Sequence, residues 1–216
     1  MAAALIFDLD GVIVDSNPIH VLAWRRYLEA CGRRLPPGAD RLIFGRRNDQ
    51  IVRDLFGDGL SPEQIAAHGA AKEALYRRLM GPLLRERLVP GVADFLRRAR
   101  LPAGLASNAE RANVDFVLDQ AGLRPYFRVV LDGAQAARPK PDPEIYLEAA
   151  RRLGVPPQAC VVFEDSPAGV QAARGAGAQV VAVRTTYQEF AGAELAIRDF
   201  LDPELEAWLR QRERAH

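Results

Sequence analysis

Ala2-Ala3-Ala4-Leu5-Ile6-Phe7-Asp8-Leu9-Asp10-Gly11-Val12 is the stretch whose reading decides the fold. An apolar run ends in two carboxylates spaced two residues apart. Residues i and i+2 share one face of a strand, so Asp8 and Asp10 project together unless the backbone turns between them. Carboxylates that close repel, and a fold tolerates the repulsion only where a cation or a shared proton relieves it. Gly11 permits the sharp turn and close backbone approach that such a site needs. The set suits a divalent cation with oxygen ligands, one carboxylate acting as nucleophile and the other giving and taking a proton. A polar turn closing a strand is the alternative reading of the same residues.

Beyond Asp15 the strand pattern stops. Residues 17–32 read as a helix, with Asn17 as N-cap, Pro18 in the first turn and Gly32 at the end. Asp15 either supports a hinge or caps this helix, and capping is the reading adopted. Helical patterns recur over 48–57 and 62–80, the second opened by a Ser61–Gln64 capping box. Residues 16–88 therefore form a helical region without a strand. From residue 90 helices alternate with short apolar strands near 102–107, 129–131, 160–163 and 179–183. That alternation predicts right-handed βαβ units and a parallel sheet buried on both faces. Strand 1 must join this sheet. The expected architecture is a doubly wound α/β core, residues 1–15 and 89–216, with a helical cap of residues 16–88 inserted after strand 1.

Composition narrows the partners. The 216 residues carry a net charge of +1, which gives no electrostatic reason to expect nucleic acid or an acidic membrane. No apolar run approaches the ~18–20 residues that span a bilayer. The N-terminus lacks the basic leader of a secretion signal, so a cytoplasmic protein is expected. Cys31 and Cys160 are expected to be reduced, buried thiols. Only Lys72 and Lys140 interrupt a basic complement otherwise made of Arg, which marks both as places where a compact point charge is needed.

Ligands of open α/β sheets bind at the carboxyl ends of the strands. Strand 1 delivers Asp8 and Asp10 there. The strand ending at Ala106 delivers Ser107-Asn108 ahead of a helix, and the strand ending at Phe163 delivers Glu164-Asp165-Ser166. Lys140 sits in the proline-stiffened Arg138-Pro139-Lys140-Pro141 loop. Each alone reads equally well as a cap or turn, but four such features meet on one edge.

Asp8-x-Asp10-Gly11, Ser107, Lys140 and Glu164-Asp165, in that order, resemble the four motifs of the haloacid dehalogenase superfamily. Their spacing resembles the branch of β-phosphoglucomutase and the small phosphosugar phosphatases. The resemblance implies that Asp8 attacks phosphorus and becomes an aspartyl-phosphate. It implies that Asp10 protonates the leaving oxygen and later takes a proton from the acceptor, a role that calls for a raised pKa. Mg²⁺ would be held by Asp8, the Asp10 carbonyl and Asp165, with Glu164 nearby. Ser107, Asn108 and Lys140 would neutralise the phosphoryl oxygens.

On the cap, His20 and Trp24 share a helix face and resemble the His and Trp of β-phosphoglucomutase; a core Trp with a neighbouring His is the alternative. Lys72 resembles a cap lysine of the mutases. Gly45-Arg46-Arg47-Asn48 resembles the loop whose Arg grips a second phosphate, with Arg47 adopted and Arg46 the alternative. The mutase pattern then departs: Ala109-Glu110-Arg111 replaces a Ser and a Lys, and a carboxylate near a second phosphate repels it unless Arg111 offsets it. The expected function is hydrolysis of a small phosphorylated sugar or similar phosphomonoester by a monomer. β-Phosphoglucomutase is the runner-up, and a non-catalytic relative that binds phosphorylated metabolites is a minor alternative.

Overall fold

A computed structural model describes residues 1–213. Six parallel strands form one sheet: β1 (Ala4–Phe7), β2 (Ala103–Ala106), β3 (Phe127–Leu131), β4 (Cys160–Glu164), β5 (Gln179–Val183) and β6 (Leu195–Ile197), in the order β3-β2-β1-β4-β5-β6. β1 is thus central, hydrogen-bonded to β2 on one side and β4 on the other. Every side chain of β1 is buried. Leu5 and Phe7 point to one face, where α5 (Val92–Arg98), α6 (Arg111–Gln120) and α9 (Pro203–Glu213) pack; Ala4 and Ile6 point to the other, under α7 (Glu144–Leu153) and α8 (Pro167–Gly175). Phe7 anchors the first face by stacking on Phe163 with ring centres 4.7 Å apart. Removing such a buried aromatic costs about 3–5 kcal/mol. The chain reverses strand order at β1, and the crevice this leaves lies outside the carboxyl ends of β1, β2 and β4.

Between β1 and β2 run the helices α1 (Asn17–Ala30), α2 (Asp40–Ile43), α3 (Asn48–Phe56) and α4 (Pro62–Met80). They enclose their own apolar cluster of Trp24, Ala39, Ile43, Ile51, Val52 and Ile65. The Ser61–Gln64 capping box opens α4 as expected.

Several local expectations fail for identifiable reasons. Ser16, not Asn17, precedes the first turn of α1, and the buried Asn17 amide donates to Asp165 (3.2 Å) and Thr186 (2.6 Å) instead. Asp15 caps nothing: its carboxylate accepts from Arg87 at 2.9 Å, and its N–H donates to the Arg87 carbonyl at 2.8 Å, where the two crossings between sheet and helices run side by side. Cys31 is exposed because α1 ends one residue before it, whereas Cys160 is buried on β4, where burial pushes its thiol up to about 11. The short β6 and the polar helix α9 gave no pattern strong enough to be read in advance. No described helix is long and apolar enough to cross a membrane.

Candidate active site

Asp8 leaves the end of β1 with its N–H on the Phe163 carbonyl of β4 (3.0 Å), which fixes it above the centre of the sheet. Lys140 reaches in from its proline-bounded loop. Its Nζ donates to Asp8 (2.8 Å), Glu164 (2.6 Å) and the Ala106 carbonyl (3.1 Å), with its side chain only 3% exposed. Burial disfavours that ammonium, but Asp8 and Glu164 outweigh it and carry its pKa up to about 12. Burial drives the Asp8 carboxyl the other way, up to about 7, despite Lys140. Asp165 is also pushed well above the usual carboxylate range, by burial and then by Glu164 and Asp8.

Gly11 and Gly169 make this crowding possible. A Cβ on Gly11, whose φ is +74°, would lie 1.9 Å from an Asp165 oxygen, and one on Gly169 would lie 1.8 Å from Glu164.

Asp8, Glu164 and Asp165 are all buried, with carboxylate oxygens within 4.8 Å of one another. The three do not offer oxygen equally. Glu164 Oε1 accepts from Lys140 and the Tyr146 hydroxyl (2.6 Å), and Oε2 accepts from the N–H groups of Asp165 and Ser166 and from the Ser166 hydroxyl. Asp165 meets only the neutral groups of Asn17 and Thr186. Three crowded carboxylates, with Lys140 between Asp8 and Glu164 and no cation on Asp165 among the described residues, form an oxygen-only donor set that fits a hard divalent cation.

Asp10 faces the helices. Ser16 donates to its Oδ1 at 2.5 Å, and His20 Nε2 lies 3.5 Å from the same atom. Lys72 Nζ lies 2.8 Å from His20 Nδ1, and the ring's Nε2 faces Asp10. Burial would raise the Asp10 carboxyl, but His20 and Ser16 outweigh it and hold it below the usual range. The raised value expected for an acid role is therefore not the arrangement seen.

Ser107 is buried, with its N–H on the Leu131 carbonyl, and its hydroxyl accepts from the Ala109 N–H at 3.1 Å. Asn108 donates to the Gly45 carbonyl at 2.9 Å. Both line the cavity with Asp8, Asp10, Lys140 and Asp165; its enclosed volume is about 50 Å³. Asn48, Asn108 and Glu110 also line an outer crevice of about 330 Å³.

The helical residues divide. His20 and Lys72 line the cavity. Trp24 does not: it is fully buried in the cluster under α1, with Lys72 Nζ 5.1 Å over its ring, so the core reading of this residue holds and the substrate-binding one is corrected. Arg47 lines the outer crevice rather than the enclosed cavity. Its guanidinium donates to the carbonyls of Gly133 and Ala136 in the loop after β3, and Arg46 lines the enclosed cavity.

Glu73 was missed in the sequence. It is buried and accepts from Lys72, Asn48 and Asn113, each at 2.8 Å. Burial works against its charge, but Lys72 and His20 outweigh burial and hold its pKa at about 2. The buried positions of α4 are 65, 69, 72, 73, 76 and 80, so a Lys-Glu pair on the apolar stripe was the available signal. Tyr146 and Thr186 were missed too; neither lies in a motif that marks it.

With the geometry in place, comparison with known proteins is informative. The model of the haloacid dehalogenase-like hydrolases matches residues 2–177. The fructose-1-phosphate phosphatase YqaB of Escherichia coli is 36% identical over 84% of this chain and 96% of its own. Among solved structures, a β-phosphoglucomutase from Clostridium difficile superposes with a TM-score of 0.85 at 25% identity, covering 99% of this chain and 98% of that one. CbbY from Rhodobacter sphaeroides, solved with xylulose-(1,5)-bisphosphate, gives 0.80 at 28% identity over 93% and 95%. A family match across most of the chain, joined to four motifs gathered on one sheet edge, leads to one conclusion: the chain belongs to the haloacid dehalogenase-like hydrolases and is an enzyme that acts on phosphoryl groups.

Proposed function

We propose that the protein is a Mg²⁺-dependent phosphatase of small sugar phosphates that works through an aspartyl-phosphate on Asp8. The observation that carries this reading is the buried Asp8 carboxylate, paired with Lys140 at 2.8 Å and crowded by an Asp165 that no cation among the described residues neutralises. Asp8, Asp165 and the Asp10 carbonyl would hold the Mg²⁺, with Glu164 positioning Lys140. Bound there, the cation supplies charge neutralisation for the phosphoryl oxygens and for Asp8.

An Asp8 oxygen attacks phosphorus as the bond to the leaving oxygen breaks, and Asp10 delivers its proton to that oxygen. Water then attacks the aspartyl-phosphate and gives a proton to Asp10, while the bond to Asp8 breaks and inorganic phosphate departs. Ser107, Asn108 and Lys140 stabilise the charge spread over the phosphoryl oxygens. The Asp10 seen here, held ionised by Ser16 and His20, is the base form used in the second half. An arriving phosphate dianion opposes its charge and so favours the proton needed in the first. The helices 16–88 act as a cap on a core of residues 1–15 and 89–216, and the Asp15–Arg87 pair at the two crossings supports that division.

The mutase reading draws on the likeness to β-phosphoglucomutase, but it needs a grip on a second phosphate. Arg111 turns to Asp115 (2.8 Å) and Asp132 (3.8 Å) rather than to Glu110. The phosphatase reading expects release of inorganic phosphate from p-nitrophenyl phosphate that needs Mg²⁺ and disappears in Asp8→Asn. Turnover that survives in Asp8→Asn overturns it. Phosphorus NMR with β-glucose 1-phosphate and a trace of glucose 1,6-bisphosphate separates the two readings: glucose 6-phosphate means mutase.

A further inference from the structure

The two ends of the cavity have opposite hydrogen-bonding character. At the sheet end, Ser107, Asn108 and Lys140 bring donors to a phosphoryl group. At the helical end three side chains, Asn48, Glu73 and Glu110, leave acceptor atoms over. Asn48 must turn Nδ2 toward the Glu73 carboxylate, 2.8 Å away, so its Oδ1 faces elsewhere and meets no donor among the described residues. Gly69 keeps α4 tight against this amide, since a Cβ there would lie 3.2 Å from Asn48 Cβ. Glu73 accepts three hydrogen bonds, of about four that a carboxylate takes. Glu110 gives Oε1 to Arg77 (2.5 Å) and leaves Oε2 unbonded.

Charge tells the same story. Six carboxylates line the cavity against three Arg and Lys side chains. Those three are already committed: Arg46 to Asp54 (2.7 Å), Lys72 to Glu73 (2.8 Å), and Lys140 to Asp8 and Glu164. Arg77, just behind, is held by Glu110 and by Asn113 Oδ1 (2.7 Å). Each Arg and Lys lining the cavity thus already faces a carboxylate, while Arg47, at the outer crevice, donates to the Gly133 and Ala136 carbonyls. A phosphate dianion only accepts hydrogen bonds well, so it would meet the acceptor atoms of Asn48, Glu73 and Glu110. A hydroxyl donates, and the same wall satisfies it.

We infer that Asn48, Glu73 and Glu110 are the specificity-determining residues for the non-reacting end of the substrate, which carries neutral hydroxyls and no second phosphate. This rests on the phosphatase reading for the identity of the reacting end, and it names the class: monophosphates of polyhydroxy compounds, with bisphosphates rejected. The likeness to CbbY does not carry a bisphosphate preference to this chain, because recognition at this end lies in the side chains of α3, α4 and α6.

The test reads binding and turnover separately. Calorimetric titration of Asp8→Asn with Mg²⁺ compares fructose 1-phosphate with fructose 1,6-bisphosphate, and glucose 1-phosphate with glucose 1,6-bisphosphate. At least one monophosphate should bind ~30-fold or more tighter than its bisphosphate, as expected where several unpaired like charges must be brought together. Adding Glu110→Gln frees Arg77 and should narrow that ratio ~10-fold or more, and Glu73→Gln should narrow it in the same direction. Glu110 is partly exposed, so the first variant keeps the test open if loss of the buried Glu73 charge prevents folding. Equal or tighter binding of both bisphosphates, no binding of any of the four compounds, or a ratio unmoved in the folded variants overturns the inference. Failure of the phosphatase reading shows elsewhere, as absence of Asp8-dependent phosphate release by the unaltered enzyme.

Discussion

The sheet-edge half of the cavity and its helical half are built from the same kinds of residue and behave differently. At the sheet edge, Asp8 and Glu164 share a single lysine with Asp165 crowded beside them, and burial raises Asp8 to about 7. At the helical end, Glu73 is as buried, yet Lys72 and His20, with the Asn113 amide, hold it at about 2. One half stores unrelieved negative charge that a cation and a phosphoryl group must answer. The other is internally neutralised and offers acceptors on Asn48, Glu73 and Glu110. Burial alone does not set a carboxylate's state; the number of donors turned toward it does.

The largest effect should come from the crowded half. Asp8→Asn should cut Mg²⁺-dependent phosphate release by ~10⁴-fold or more, as loss of a nucleophile does. Retained turnover would remove the chemical distinction between the halves. Next, Lys140→Met should leave Asp8 and Glu164 as uncompensated buried charges and lower stability by about 3–5 kcal/mol, read by urea unfolding without metal. Added Mg²⁺ should recover part of that loss, because it binds only the folded carboxylate set.

Acid should then separate the halves by sign. Glu73 has its folded pKa below its unfolded value of 4.5, so its contribution, about 3 kcal/mol, is full above pH ~4.5 and is lost as pH falls toward 2. Asp8 is the reverse. Its folded pKa is above the unfolded 3.8, so without metal its cost is full above pH ~7 and is relieved as pH falls toward 4. Unfolding of the metal-free protein should show stability gained from pH 7 to 5 and lost below 4.5, and Glu73→Gln should flatten only the acid limb. A single limb that both Asp8→Asn and Glu73→Gln abolish would break the comparison. The smallest effect is Ser61→Ala at the start of α4, which should cost about 1 kcal/mol with no change in the preference between mono- and bisphosphates.

The legibility of the two halves differs as their charges do. Asp8, Asp10, Ser107, Lys140 and Asp165 announce themselves because each follows a strand or sits in a stiff loop, and parallel strands must deliver their ends to one edge. Trp24 misled because a helix presents several side chains to one face, and spacing does not say whether that face meets the cavity or the core. Glu73 was hidden because a charged residue on a helix is ordinarily solvated; only the carboxylate's three partners from α3, α4 and α6 explain its burial.

The sequence by itself determined the doubly wound sheet, the helical insertion after β1 and the strand-end carboxylates, because local hydrophobic period and strand-end position are written in consecutive residues. The tertiary structure alone decided that Glu164 serves Lys140, that Asp10 is held ionised by Ser16 and His20, and that Asn48, Glu73 and Glu110 form an acceptor wall. Those properties are sums over donors and charges arriving from distant segments, and no spacing along the chain records where such groups meet.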